Sequence, residues 1–455
     1  MKLPDGPKTP RFIQLLQWIA NPLQYLETSA QQYGEMFTAR WGNIPPYVLL
    51  SNPKAIGELL TADPRQFESG AGNYILQPIV GNNSIVLLDG ERHQRQRQLL
   101  TPPFHGERMK AYGKLMCDLT EQLIGQQRNG EPFPVRFAMQ EISLQVILNA
   151  VFGIHQGQRY QQLKDLFTSL LDAVSSPLSS SLLFFQSLQV DLGAWSPWGH
   201  FVRRQQQIDQ LLYAEIEERR AQEDPSRTDI LTLLMSARDA EGQPMTDEEL
   251  RDELMTLLFA GHETTASSLA WALYWIHNLP EVRDKLLKEL DTLGGELDPN
   301  TVTKLPYLNA VCQETLRIYP VAMVIFPRIV KSPFQLMGYE FEPGTVISPC
   351  VYLTHHRQDI YPEPKRFRPE RFLERQFSPY EYFPFGGSNR RCIGMAFAQY
   401  EMKLVLATIL SRWELALADN RPVRPVRRGV TLAPPTNLKM VVTSQRKAAK
   451  IPVQV

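Results

Sequence analysis

Four places in the chain combine residue types and spacings that can do chemistry. The first is the run Phe385-Gly386-Gly387-Ser388-Asn389-Arg390-Arg391-Cys392-Ile393-Gly394, in which a glycine-containing loop delivers a cysteine to the start of a helix. The partial positive charge and open N–H groups of a helix N-terminus stabilise a sulfur anion, so the position suits a thiolate. Gly394 lets backbone come close to a ligand, and Arg390 is placed to meet a nearby anion. A buried structural cysteine is the common fate of a lone Cys and stands as the rival reading. The second place is Glu314-Thr315-Leu316-Arg317, where acid and base three apart share one helix face. In isolation such a pair reads as a surface ion pair. The third is Ala260-Gly261-His262-Glu263-Thr264-Thr265. Gly261 costs about 1 kcal/mol of helix stability against alanine, and paired threonines bond back to helix carbonyls, so a local distortion is expected. His262-Glu263 is not a zinc site, because the second histidine of H-E-x-x-H is missing. The fourth is His93 and Arg97, four apart and so on one face of a helix.

These residues need elements to hold them. The helical reading over 11–33 breaks at Asn21-Pro22, and Met36–Trp41 and Tyr47–Ser51 flank a Gly-Asn-Ile-Pro-Pro turn as a hairpin. From about Asn52 to Arg317 the pattern is mostly helical, with loops near 70–90, 175–200, 221–228 and 291–304. The strongest helix is 247–278, opened by a capping box of Thr246 and Glu249. Beyond Arg317, strand-like runs at Val324–Val330, Phe334–Leu336 and Thr345–Ser348 precede a proline-rich meander over 361–384. A last helix runs from about Ile393 to Trp413, and two strand-like runs flank Ala433-Pro434-Pro435-Thr436. The class is mainly α with minor β.

Composition narrows the choices. At 43% hydrophobic residues the chain has ample core material, and a formal net charge of zero gives no reason to expect nucleic acid. Four cysteines without C-x-x-C spacing are neither a disulfide framework nor a zinc ribbon, which suits a reducing, cytoplasmic setting. Met1–Pro10 has no apolar core of a signal peptide, and no apolar stretch is long enough for a transmembrane anchor. Peripheral membrane contact remains compatible, with Leu182-Leu183-Phe184-Phe185 as the apolar segment suited to it.

The 385–394 run resembles the cysteine-ligand loop of the cytochromes P-450, F-x-x-G-x-R-x-C-x-G. Phe385, Arg390, Cys392 and Gly394 match, while Ser388 stands where the family usually has glycine. Glu314 and Arg317 are similar to the family's ExxR pair, and Pro369-Glu370-Arg371-Phe372 to its later arginine element. Residues 260–265 resemble the oxygen-binding motif A/G-G-x-D/E-T-T, and His93 with Arg97 resembles the W-x-x-x-R propionate pair with His for Trp. Arg328 matches a further arginine that meets a propionate.

The resemblance covers nearly the whole chain and implies one cytochrome P-450 haem domain over 1–455, without a fused reductase. It implies haem b (iron protoporphyrin IX) with Cys392 as thiolate ligand and metal-binding residue. Phe385, Arg390, His93, Arg97, Arg328 and Gly394 would complete the cofactor site. Glu314, Arg317 and Arg371 would form a buried ion network. Thr264 would bond bound O2 and Glu263 would relay protons. The activity implied is insertion of one oxygen atom from O2 into a C–H bond. Electrons would come from NAD(P)H through a reductase and a separate ferredoxin or flavodoxin, docking where Arg92, Arg95 and Arg391 make the thiolate side basic. Ala260, Val321, Ala322, Met323, Val324 and Pro435 would line the pocket, apolar as a lipophilic substrate requires. The motifs look most similar to those of soluble bacterial, cyanobacterial-type fatty-acid hydroxylases, which implies a long-chain fatty acid. A sesquiterpene-like hydrocarbon is the competing substrate. A peroxide-using enzyme and a haem-binding sensor of the same fold are the competing activities.

Overall fold

Asn21 ends one helix and starts the next. In the computed structural model, which describes residues 3–446 except 105, 154–155, 176–188, 223, 225, 296 and 430, α1 (Arg11–Ala20) meets α2 (Pro22–Tyr33) at this residue. Its side chain accepts a hydrogen bond from the Gln24 N–H at 3.3 Å, and Pro22 occupies the first turn, where a missing N–H costs nothing. The hairpin follows as expected, with β1 (Met36–Ala39) antiparallel to β2 (Tyr47–Leu50). Strands β3 (Phe67–Glu68), β4 (Arg328–Val330) and β5 (Val346–Pro349) extend it into a sheet of order β1-β2-β5-β4-β3. The β2–β5 pair is parallel and the others are antiparallel. Only the end of the 324–330 run is a strand. Pro327 has no N–H to give to a ladder, which confines pairing to the residues after it.

The helices that carry the site are α3 (Gly90–Leu100), α4 (Val135–Phe152), α5 (Asp247–Asn278), α6 (Pro306–Ile318) and α7 (Met395–Arg412). The capping box opens α5: the Glu249 N–H donates to Thr246 Oγ1 at 3.1 Å and the Thr246 N–H to Glu249 Oε2 at 2.9 Å. The helix is continuous through Gly261, so the distortion expected there is absent. A Cβ at Gly261 would lie 3.2 Å from Ile147 Cδ1, and the small residue serves the close passage of α4 instead. Fully buried Trp271 and its apolar neighbours on α5 belong to a core shared with α4, α6 and α7.

Two further helical pieces, Ala71–Leu76 and Gln77–Val80, occupy the expected 70–90 loop, and a helix starts at Pro197, within the expected 175–200 loop. Ser196 caps the latter by accepting from the Gly199 N–H at 3.0 Å. Leu182–Phe185 lies outside the described residues. A hairpin of β6 (Val426–Arg428) and β7 (Thr431–Ala433) hangs beside the 321–322 segment, where the Leu432 N–H donates to the Val321 carbonyl at 2.9 Å. No helix among the described residues is long and apolar enough to cross a membrane.

Candidate functional site

The cysteine loop is closed by backbone: the Cys392 N–H donates to the Phe385 carbonyl at 2.9 Å, and Gly394 caps α7 two residues later. Of the four cysteines, Cys117, Cys312 and Cys350 are buried and Cys392 is exposed. Its accessibility does not put it in open water, because protein surrounds the thiol closely enough to push its pKa up by burial. The Gly394 N–H, Arg97 and Arg391 pull it back down. A Cβ at Gly394 would project into open space. Ser388, at the position the family gives to glycine, has φ of +58°, in the left-handed region, which explains the usual residue.

Beside the loop is a cluster of cations. His93 is buried, and its pKa is driven down to about 3, first by burial and then by Arg390, Arg97 and Arg328. It is therefore a neutral imidazole among three guanidiniums. Arg328 Nη1 donates to Ser69 Oγ at 2.5 Å, and burial, with Arg390 adding to it, brings its pKa down to about 10. Arg390 pairs with Asp89, whose carboxylate also accepts from the Ser69 and Gly70 N–H groups, both at 2.9 Å. Asp89 was not foreseen, although an acid just before a helix start is a visible signal. The segment leading into the helix that bears His93 and Arg97 is held from α5. The Asn83 N–H donates to Asp252 Oδ2 and the Ile85 N–H to Glu253 Oε1, each at 2.8 Å, and Ser84 Oγ meets Thr256 Oγ1 at 2.6 Å.

On α5 the midpoint opens. Ala260 is exposed and Leu257, Gly261 and Thr264 are half-buried, three or four residues apart on one face of the helix. The Thr264 hydroxyl donates to the Ala260 carbonyl at 2.6 Å. Glu263 is buried and turned toward α4, where Arg136 Nη1 donates to it at 3.2 Å and Gln140 adds a further bond. Arg428 Nε lies 3.4 Å from the same carboxylate, close enough for attraction though not aligned as a hydrogen bond. Thr264 and Glu263 are thus neighbours with separate partners. Nothing local to residues 260–265 foretold Arg136, Gln140 or Arg428.

The description "Cytochrome P450" belongs to the family model that matches residues 4–442. The chain belongs to the cytochrome P450 family. A Mycobacterium tuberculosis (strain H37Rv) relative named as cytochrome P450 135B1 is 34% identical, over 98% of this chain and 92% of its own length. Another from the same strain, named as cytochrome P450 135A1, is 31% identical over 98% and 96%. Among solved structures, cyanobacterial CYP120A1 with retinoic acid bound superposes with a TM-score of 0.83 at 26% identity, covering 97% of this chain and all of that one. This P450 is a haem-thiolate monooxygenase, which uses O2 and electrons from a redox partner.

The described residues fit the haem group. An exposed cysteine, open space over Gly394 and three guanidiniums grouped around His93, with Arg390 paired to Asp89, together suit an iron porphyrin with two propionates. The structure brings Glu314, Arg317 and Arg371 together. Arg317 grips Glu314 through two bonds of 2.6 and 2.9 Å, both side chains fully buried, and Arg371 Nε reaches Glu314 Oε1 at 3.1 Å. Arg317 also donates to the His355 carbonyl at 2.7 Å. The surface reading of this pair is thereby replaced.

Two expectations change. Arg95 pairs with Asp239 at 2.6 Å and Glu249 at 2.8 Å, so the basic face attributed to Arg92, Arg95 and Arg391 loses its middle member. Met323 is buried in a core cluster with Tyr25 and Phe37. Met323 and Val324 both line a cavity beside α1 whose described lining includes none of Ala260, Thr264 or Cys392. Val321, Ala322 and Pro435 are half-buried near the β6–β7 hairpin.

Proposed function

We propose that this P450 hydroxylates a long-chain fatty acid near its methyl end, with Cys392 as the thiolate that would hold the haem iron. The observation that carries the ligand assignment is that Cys392 is the exposed cysteine of the four, in a loop where a backbone N–H and two arginines favour the thiolate. Arg97, Arg328, Arg390 and neutral His93 would hold the propionates, and Phe385 and Gly394 frame the ligand loop. When bound, haem with its thiolate supplies the O–O cleavage and C–H oxidation. The chain's own part is to orient and to move protons. Thr264 sits on the open face of α5, one bond rotation from releasing the Ala260 carbonyl, and its Oγ1 would hold and pass on a proton at that face. Glu263 would resupply it by leaving Arg136 and Gln140.

The substrate class is supported by half-buried apolar residues at 321–322 and by the CYP120A1 structure, whose ligand, retinoic acid, is a lipophilic carboxylic acid. Electrons would pass from NAD(P)H through a separate ferredoxin or flavodoxin. The reduced carbonmonoxy protein is expected to show the red-shifted Soret band of thiolate ligation, and Cys392→Ala to lose it. Retention of that band in Cys392→Ala would overturn the ligand assignment. Spectral titration with fatty acids, their methyl esters and sesquiterpenes, followed by product analysis, tests the substrate. Tight hydrocarbon binding without any response to a fatty acid would overturn it.

A further inference from the structure

The face that α4 turns toward α5 repeats at helical spacing: Arg136, Gln140, Ser143 and Ile147 lie along one stripe. All four meet the segment 260–265. Arg136 and Gln140 hold the Glu263 carboxylate. Ser143 Oγ donates to the Gly261 carbonyl at 3.5 Å, the outer limit of a hydrogen bond. Ile147 Cδ1 lies 3.2 Å from where a Cβ of Gly261 would be, so the missing side chain lets α4 come close enough for the serine to reach.

Behind Ser143 stands an acid that the chemistry so far leaves idle. Glu401, on α7, is buried, and among the described residues its Oε1 meets no hydrogen-bond partner. The carboxyl does bond Ser143, and burial pushes its pKa up to about 8. Among the described residues no titratable or charged group from α4, α5, α6 or the helix Glu107–Gly125 adds to that shift. A neutral acid tolerates one unmatched buried oxygen far better than a carboxylate does.

Hydrogen counting gives the contact a direction. A hydroxyl has one proton to donate and two lone pairs to accept with. While Glu401 keeps its proton, it donates to Ser143 Oγ, and the Ser143 proton is left for the Gly261 carbonyl. An ionised Glu401 can only accept, and the Ser143 proton turns to it. The Gly261 carbonyl then loses its tie to α4, at the turn that carries Glu263 and Thr264.

We propose that Glu401 is a positioning residue for the midpoint of α5, acting through Ser143 on the Gly261 carbonyl. The contact itself needs no assumption about substrate, and its bearing on turnover rests on the roles proposed above for Thr264 and Glu263.

The test follows two quantities in the haem-loaded wild type, Glu401→Gln and Ser143→Ala, between about pH 6 and about pH 9, either side of the Glu401 transition. The first is amide hydrogen exchange at 260–265, corrected for the intrinsic effect of pH on exchange. In wild type it should quicken roughly threefold to tenfold relative to the 270–278 end of α5 as pH rises, the worth of one modest hydrogen bond. Glu401→Gln, which keeps a donor at every pH, should stay slow, and Ser143→Ala should be fast throughout. The second quantity is product formed per electron consumed with palmitic acid. It should fall in wild type as local exchange quickens, hold its low-pH value in Glu401→Gln and be low at every pH in Ser143→Ala. The wild-type series decides even where a variant loads haem poorly. Wild-type exchange at 260–265 that ignores pH would overturn the proposal. So would an equal change along the whole of α5, which would mean that Glu401 acts on stability alone. Local exchange that responds while product per electron does not would uphold the contact and overturn the roles given to Thr264 and Glu263. Absence of any product from palmitic acid in wild type would overturn the fatty-acid reading, and exchange alone would then decide for Glu401.

Discussion

A single residue separates this cysteine loop from the family's usual pattern. Ser388 holds φ of +58° without glycine's freedom, and its exposed side chain makes no hydrogen bond among the described residues. An L-residue there costs about 1–2 kcal/mol, offset by about 0.5–1 kcal/mol because glycine loses more entropy on folding. Ser388→Gly should therefore stabilise the holoprotein by roughly 0.5–1 kcal/mol, raising the midpoint of thermal unfolding by about 1–2 °C. A lower midpoint would show that the serine side chain contributes something its geometry does not display. At this scale the sequence was informative wherever a residue acts with near neighbours. The back-bond of Thr264 to Ala260 and the pairing of Glu314 with Arg317 were both legible. Partners far along the chain were not. Glu263 answers to Arg136, 127 residues away, and no local pattern announces such a pairing.

Elements carry the next set of consequences. The Glu314–Arg317 pair ties α6 to the meander through the Arg368 N–H, which donates to Glu314 Oε1 at 2.8 Å, and to the short helix Val351–His355 through the His355 carbonyl. Arg317→Ala would leave Glu314 buried with only part of its compensation, a loss on the order of 3–5 kcal/mol. The expected outcome is a sharp fall in soluble, haem-loaded protein, read as haem absorbance per unit of protein. Full loading would contradict a structural role for the network. Element boundaries were readable where a cap is local, as at Thr246 and Asn21. Gly261 shows the limit. Its intrinsic cost in a helix pointed to distortion, but the passage of Ile147 on α4 decides the matter, and that packing is tertiary.

For the whole molecule, the buried acids set a pH dependence. Glu401 on α7 is fully enclosed, and burial raises its pKa from 4.5 to about 8, with Ser143 as its hydrogen-bonding neighbour. The folded chain therefore binds a proton that the unfolded chain releases above the ordinary carboxylate pKa. The linkage runs one way: this contribution to stability is complete below about pH 4.5, declines as pH rises from there toward about 8, and is flat beyond. Glu401→Gln keeps shape and neutrality. It should flatten the decline in unfolding free energy between pH 5 and pH 8, roughly 2–4 kcal/mol in wild type, as measured by denaturant titration at several pH values. An identical pH profile in the variant would show that Glu401 titrates normally.

The staple between the 83–86 segment and α5 also bears on how the chain is made. Asn83 waits for Asp252, 169 positions later, and the Ile85 carbonyl waits for Arg390, 305 positions later. Synthesis at about 5–20 residues per second separates these partners by tens of seconds. The helix bearing His93 and Arg97 thus leaves the ribosome long before the arginine and the thiolate it will face. On the proposed ligand assignment, cofactor capture is confined to the last stage of a chain's birth, and a nascent chain stalled before residue 390 has Arg97 and Arg328 but lacks Cys392.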